Sequence, residues 1–299
     1  MAHDIGIVIT ERIAVAAISE NAILGSLRVN PEDSDISDFL LGVPAETIVQ
    51  RIVALVEQLD LPQPPSHIGV GMPGIVRNGI IEDSPNLVQF KGMHMQEMVG
   101  DAFAGKFGRV PVYIFNDADV MAAGMAAVRG HLDRLVRVWT LGTGIGYGRY
   151  PHGDGFWEAG HSVVTLDPKE HFCGCGGRGH LEGIMGQRAM RLRFMDLEPE
   201  EIFAHAAAGE ARCIEFTKLW HRALAAATAT SIHLDGPGKF FITGFNARFV
   251  NIGLLHEYLH EMVKLSPLQG YALEVVQGGE SVAVIGAAVN ASRAAERSS

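Results

Sequence analysis

Three short apolar runs open the chain with only turns between them: IGIVI at 5–9, IAVAAI at 13–18 and ILGSLRV at 23–29. Runs this close together read as hairpin-connected strands. Beyond them, helix and strand patterns alternate. PAETIVQRIVALVEQL, 44–59, sets Ile48, Ile52, Leu55 and Leu59 at helical spacing behind Pro44. HIGVGM is a buried strand ending at Pro73-Gly74, VPVYIF at 110–115 is another, and ADVMAAGMAAV is a helix directly after Asn116-Asp117. The plan then starts again. RVWTLGTGIGYGRY reads as strand, glycine turn and strand; helices fill much of 182–233. FFIT is a strand, a helix lies near 250–263, ALEVV is a strand, and a last helix covers 281–294. A hairpin opening followed by alternating helices and strands, occurring twice, predicts two α/β lobes of similar plan.

The composition sets outer bounds. With 47% apolar and 19% charged residues over 299 positions, the chain has the material for one large core or two moderate ones. A net charge of −10 argues against general affinity for nucleic acid or an anionic membrane, while leaving room for a nucleotide in a local pocket. No apolar run has the length of a membrane span, and the N-terminus carries Asp4, Glu11 and Arg12 where a signal peptide would be apolar. Three cysteines make no disulfide framework, and a reducing cytoplasm is the expected location.

Two of those cysteines fall in HFCGCGGRGHLE, residues 171–182. Cys173 and Cys175 are one residue apart, too close for a CxxC redox pair and strained as a disulfide. Gly176, Gly177 and Gly179 allow a tight loop that folds its ligands inward, and His180 completes three of the four donors of a tetrahedral zinc site. The fourth donor is His161, from EAGH upstream, or His171. The competing reading takes the cysteines as small buried apolar residues and the histidines as surface residues.

EAGH followed by CGCGGRGHLE resembles the signature of the ROK family (repressor, open reading frame, kinase), ExGH then CxCGxxGCxE. Further stretches resemble family motifs in the same order: GVGMPG at 69–74, SPNL at 84–87, FNDAD at 115–119, LGTGIGYG at 141–148 and GGESVAVIGAA at 278–288. The resemblance implies a two-lobed actin-like ATPase (ribonuclease H-like) fold with an interlobe cleft. The small lobe would be 1–117 plus 283–299, and the large lobe 118–282, carrying the zinc loop. The implied activity is phosphorylation of a hexose or N-acetylhexosamine by ATP with Mg²⁺, in a cytoplasmic homodimer. The DNA-binding role is not expected, because the chain begins at the first strand without a helix-turn-helix extension.

The same resemblance distributes roles. Asp117, at a strand end, would be the general base; a carboxylate before ADVMAAG would also serve as a helix cap. Asn86, Asn116, Glu158, His161 and Glu182, with Asp117, would bind sugar hydroxyls, since amides and carboxylates hold vicinal OH groups directionally. Gly142, Thr143, Gly144 and Gly244 would face the donor, glycines giving phosphate oxygens access to backbone N–H groups. The zinc ligands would be His161, Cys173, Cys175 and His180, with His180 in place of the family's third cysteine.

Two donor-side motifs depart from the family. Its opening DxGGT matches Asp4-Ile5-Gly6 only with three extra residues. An ungapped match puts Ile7 at the aspartate and Ile9-Thr10-Glu11 at GGT. A glutamate in a phosphate turn would repel the donor. In ITGFNARF, 242–249, the family's double glycine becomes Gly244-Phe245. These departures leave an alternative, a sugar-binding protein of the same fold without catalysis.

Overall fold

The computed structural model describes residues 3–33, 39–59, 61, 63–153, 155 and 157–298. Its chain divides into two compact units. The first takes the described residues of Met1–Val136, Gly148–Phe156 and Gly278–Ser299; the second takes those of Arg137–Tyr147 and Trp157–Gln277.

In the first unit, β1 (Asp4–Ile9), β2 (Ile13–Ser19) and β3 (Ala22–Asn30) form an antiparallel meander, as their spacing predicts. After α1 (Ala45–Glu57), β4 (Ile68–Met72) joins β1 in parallel. A small hairpin, β5 (Ile75–Arg77) and β6 (Ile80–Asp83), precedes α2 (Met95–Phe107). β7 (Val112–Asn116) then pairs with β4 in parallel and runs straight into α3 (Asp117–Val128). The sheet order is β3-β2-β1-β4-β7. β1 and β4 are buried on both faces, which accounts for their near-continuous apolar character.

The second unit opens with β8 (Val136–Leu141), from Arg137 on, and the first half of β9 (Ile145–Tyr150), whose residues from Gly148 belong to the first unit. Next come α4 (Glu182–Met185), α5 (Gln187–Arg193), α6 (Pro199–Ala207) and α7 (Ala211–Asp235), then β10 (Lys239–Thr243), α8 (Ile252–Met262) and β11 (Ala272–Val275). The strand order is β11-β10-β8-β9. One core holds Trp139, Trp220, Leu224 and Phe240. His221 joins α7 to the start of α8: its Nδ1 donates to the Thr217 carbonyl (2.8 Å) and its Nε2 accepts from the Asn251 N–H (2.8 Å).

The last helix, α9 (Glu280–Ser298), belongs to the first unit. Its backbone lies against sheet and helix where glycines leave no side chain in between. A Cβ on Gly69 of β4 would sit 2.0 Å from the Ala287 carbonyl oxygen, and one on Gly286 would sit 1.7 Å from that of Val120 on α3. This packing corrects the expected lobe boundary. α3 is held by α9, so the first unit continues past residue 117 to Val136, and its C-terminal part begins at Gly278, not 283.

Two elements were not anticipated. α2 buries Met95, Val99 and Phe103, an i, i+4, i+8 stripe on a helix otherwise rich in glycine and charge. The β5–β6 hairpin turns at Asn78-Gly79, both at positive φ, a two-residue turn signal present in the sequence.

Candidate active site

At the C-terminal end of β7, Asn116 caps α3. Its Oδ1 accepts the Ala118 N–H (2.8 Å) while its Nδ2 donates to the Gly74 carbonyl (2.9 Å). The cap expected as the alternative role of Asp117 is therefore supplied by its neighbour. Asp117 is the first helical residue, half-buried, with Oδ1 also within 3.0 Å of the Ala118 N–H. The loop beside it is tied down from two sides. Gly74 takes φ +120°, where a Cβ would meet the Asp83 carbonyl at 2.3 Å, and Ser84 Oγ donates to the Pro73 carbonyl (2.9 Å). Asn86, two residues on, is exposed. Asp119, buried, accepts the Arg149 N–H (2.9 Å) and faces His152 Nδ1 at 3.3 Å, which anchors the first turn of α3 to β9.

The second unit carries the other predicted side chains. Glu158 is exposed and starts a short turn in which Gly160 packs on β9; a Cβ there would lie 2.0 Å from the Ile145 carbonyl oxygen. Residues 162–164 and 179–181 then pair, through Val164 N–H to Gly179 O (2.8 Å) and Leu181 N–H to Ser162 O (3.0 Å). This pairing brings His161 beside His180, whose rings are 5.4 Å apart. The base of the loop is pinned by Arg193, which bonds both carboxylate oxygens of Glu170 and lies over the Phe172 ring at 4.5 Å.

His161, Cys173, Cys175 and His180 converge, with one donor atom from each within 4.8 Å of every other. Cys173 Sγ is 3.4 Å from His161 Nδ1 and 3.4 Å from Cys175 Sγ, and Cys175 Sγ is 3.3 Å from His180 Nδ1. A tetrahedral zinc site with bonds of about 2.3 Å to sulfur and about 2.1 Å to nitrogen has S–S edges of about 3.8 Å and S–N edges of about 3.6 Å, so this donor set fits the ion with small adjustments. His161 turns its other nitrogen, Nε2, toward Glu158 (4.0 Å). His171, the rival fourth ligand, lies outside: its Nδ1 contacts the Lys169 carbonyl (2.7 Å) and its ring stacks on Phe172. Without a cation, burial above all pushes the Cys173 thiol up to about 12; a bound divalent ion reverses that preference for the neutral thiol.

Between β8 and β9, Gly142 N–H closes a tight turn onto the Gly144 carbonyl (3.0 Å), leaving Thr143 exposed. Gly244, at φ +95°, brings the chain back against this turn, since a Cβ would be 2.4 Å from the Leu141 carbonyl oxygen. Phe245 covers Gly142, and Asn246 Nδ2 donates to the Gly142 carbonyl (3.1 Å). Gly142, Thr143, Gly144 and Gly244 thus share one face of the second unit, with an aromatic ring among them.

The first hairpin settles how its turn is built. β1 and β2 stay in register to Ile9 opposite Ile13, so the turn is Thr10-Glu11-Arg12. Asp4 lies at the far end of β1, where its Oδ1 meets His67 Nδ1 (2.9 Å) and its Oδ2 accepts from Ser292 Oγ (2.7 Å). Glu11 is exposed, so solvent screens the repulsion expected of it. Sequence reasoning missed its neighbour. Arg12 donates through Nε to Glu280 Oε1 (2.9 Å), pairs with it again through Nη2, and through Nη1 reaches the Glu32 carbonyl (3.2 Å). The only signal for this pair was a basic residue in the turn and an acidic one in GGES.

Proteins of the same fold define the class first. The structure superposes on a ROK hexokinase from Thermus thermophilus with a TM-score of 0.76 at 22% identity, covering 99% of each chain. It also superposes on a ROK family glucokinase from Streptomyces griseus, in complex with glucose and AMPPNP, with a TM-score of 0.68 at 21% identity, covering 98% of this chain and 100% of the other. The fold is that of the actin-like ATPases as built in ROK sugar kinases. In sequence the chain is 30% identical over 245 residues to a glucokinase from Pyrobaculum calidifontis, across 77% of this chain and 79% of the relative. The ROK family model matches residues 41–293, and the chain belongs to that family.

Proposed function

We propose that this protein is a sugar kinase that transfers the γ-phosphoryl group of ATP–Mg²⁺ to a hydroxyl of a hexose or N-acetylhexosamine. The observation that carries the reading is the start of α3. Asn116 supplies the cap, so the neighbouring Asp117 carboxylate is not required for it. Asp117 takes the proton of the attacking hydroxyl as the new O–P bond forms and the bond from the γ-phosphorus to the bridging oxygen breaks, releasing ADP. Asn86, Asn116, Glu158 and His161 hold sugar hydroxyls, joined by Glu182 through Oε1 while its Oε2 accepts the Ile145 N–H, and Gly142, Thr143, Gly144 and Gly244 receive the donor. The glucose and AMPPNP of the Streptomyces griseus relative and the function of the Pyrobaculum calidifontis glucokinase support this assignment.

Zinc suits the quartet His161, Cys173, Cys175 and His180. Once bound, it supplies a rigid crosslink that fixes the loop between His161 and Glu182. The protein works in the cytoplasm as a homodimer on this reading; among the described residues no helix is long and apolar enough to cross a membrane.

A second reading is favoured by one specific observation. The turn that should admit donor phosphates has no glycine, and its Arg12 is engaged with Glu280. A chain that binds sugar without turnover would look the same. Calorimetry with a hexose panel and with ATP–Mg²⁺ tests both readings. At least one hexose binds, and ATP binds with Kd on the order of millimolar or weaker. If no hexose binds, the assignment of the sugar residues fails.

A further inference from the structure

α4 is only four residues long, yet it holds the β8–β9 glycine turn at both ends. At its start, Glu182 Oε2 accepts the Ile145 N–H (3.1 Å) and lies so close to Gly144 that a Cβ there would meet it at 2.6 Å. Just past its end, the Gln187 N–H donates to the Thr143 carbonyl (3.1 Å), and Gly186 lies against the same oxygen. The first residue of the helix is also seated on the histidine–cysteine loop. Glu182 Oε1 is 3.6 Å from Cys173 Sγ, a Cβ on Gly183 would meet the Cys173 backbone nitrogen at 2.9 Å, and His180 lies two residues upstream. One carboxylate therefore reaches two places, a cysteine of the quartet through one oxygen and the backbone of the glycine turn through the other.

We propose that Glu182 is a positioning residue through which occupancy of the His161–Cys173–Cys175–His180 quartet sets the rigidity of the Gly142–Ile145 turn. The metal loop and the turn would otherwise share no covalent neighbourhood, being about thirty residues apart in the sequence. When the loop is crosslinked, His180 is fixed two residues before Glu182 and Gly183 stays seated on the Cys173 backbone, so α4 is fixed, and the bonds from Glu182 and from Gln187 at the start of α5 hold the turn closed. When the loop is loose, Glu182 has no fixed base, and the turn keeps only its own Gly142–Gly144 bond, the Asn246 bond to the Gly142 carbonyl and the packing of Gly160 on Ile145. The inference rests on reading the quartet as a metal site and the turn as the donor's. It adds that the metal acts on the phosphate side of the reaction, not only on the sugar.

Hydrogen–deuterium exchange resolved at single amides tests this without any turnover. The samples are metal-loaded wild type, wild type stripped by a chelator, and Glu182→Ala and Glu182→Gln in both states. Stripping should speed exchange at Ile145 and Gln187 about tenfold in wild type, with the β8 and β10 strand amides unchanged. In Glu182→Ala, Ile145 should exchange fast whether or not metal is bound. Glu182→Gln should restore the metal dependence, because its amide oxygen accepts the same N–H. The proposal is overturned if Ile145 is indifferent to stripping, or if Glu182→Ala responds to stripping as wild type does. Should stripping unfold the whole second unit, the loaded Glu182→Ala sample decides: Ile145 must be fast there with the strands intact, and slow exchange rejects the strut. Loss of the kinase reading would appear as absent hexose turnover and would leave these exchange results standing.

Discussion

On the proposed reading, Asp117 and Asn116 divide two jobs that one carboxylate could have held. An asparagine at the cap position satisfies the Ala118 N–H, and a carboxylate comes next where β7 ends. Replacing Asp117 with Asn should therefore lower kcat by roughly a hundredfold or more and leave the melting temperature close to wild type, measured by steady-state kinetics beside thermal melts. Equal, small changes in both would mean that Asp117 is structural. His221 gives a second expectation at this scale. Burial, first of all, holds its imidazole below the ordinary value of 6.5, and the Asn251 N–H that donates to Nε2 fits only the neutral ring with the proton on Nδ1. A depressed histidine lets the unfolded chain take up a proton that the folded chain refuses. Stability from this group is thus complete above about pH 6.5 and declines as pH falls below it toward the folded value, by at most about 1.4 kcal/mol per pH unit. Urea melts across that window should show a shallower decline for His221→Gln than for wild type; identical slopes would contradict the assignment.

Elements, not single residues, make the quartet. His161 comes from a turn packed on β9, Cys173 and Cys175 from a loop pinned by Arg193, and His180 from the strand-like pairing with Val163. Elemental analysis should find about one zinc per chain, and Cys175→Ser should lower both metal content and hexose affinity. Well-folded, metal-free protein prepared without chelator would contradict the site. The convergence of the four side chains was legible beforehand, because cysteines, histidines and glycines at such density have few other uses. The choice of His161 over His171 was not legible from spacing alone; it depends on the pairing of 162–164 with 179–181, a contact remote in sequence. The same limit explains the displaced unit boundary. α3 and α9 meet through Gly286 and the Val120 carbonyl, 166 positions apart, and nothing local in either helix announces that contact. α2 was overlooked although its Met95, Val99, Phe103 stripe was there to be counted.

For the whole molecule, the residues proposed for the sugar match the family pattern, while two of the stretches proposed for the donor depart from it. Family membership and fold are settled by similarity along nearly the full chain. The proposed donor side differs at Thr10-Glu11-Arg12, where Arg12 is clasped by Glu280, and at Phe245, which covers Gly142. If the protein is a working kinase, it tolerates those changes with weak donor affinity and still turns over. The most informative assay is hexose-dependent ADP release from ATP–Mg²⁺ across a sugar panel, with the phosphorylated sugar identified by mass spectrometry. A working kinase should release ADP stoichiometrically with a hexose phosphate for at least one sugar, at an ATP requirement in the millimolar range. Tight hexose binding with no phosphorylated product at saturating ATP would rule out the kinase and leave a sugar-binding protein built on a kinase fold.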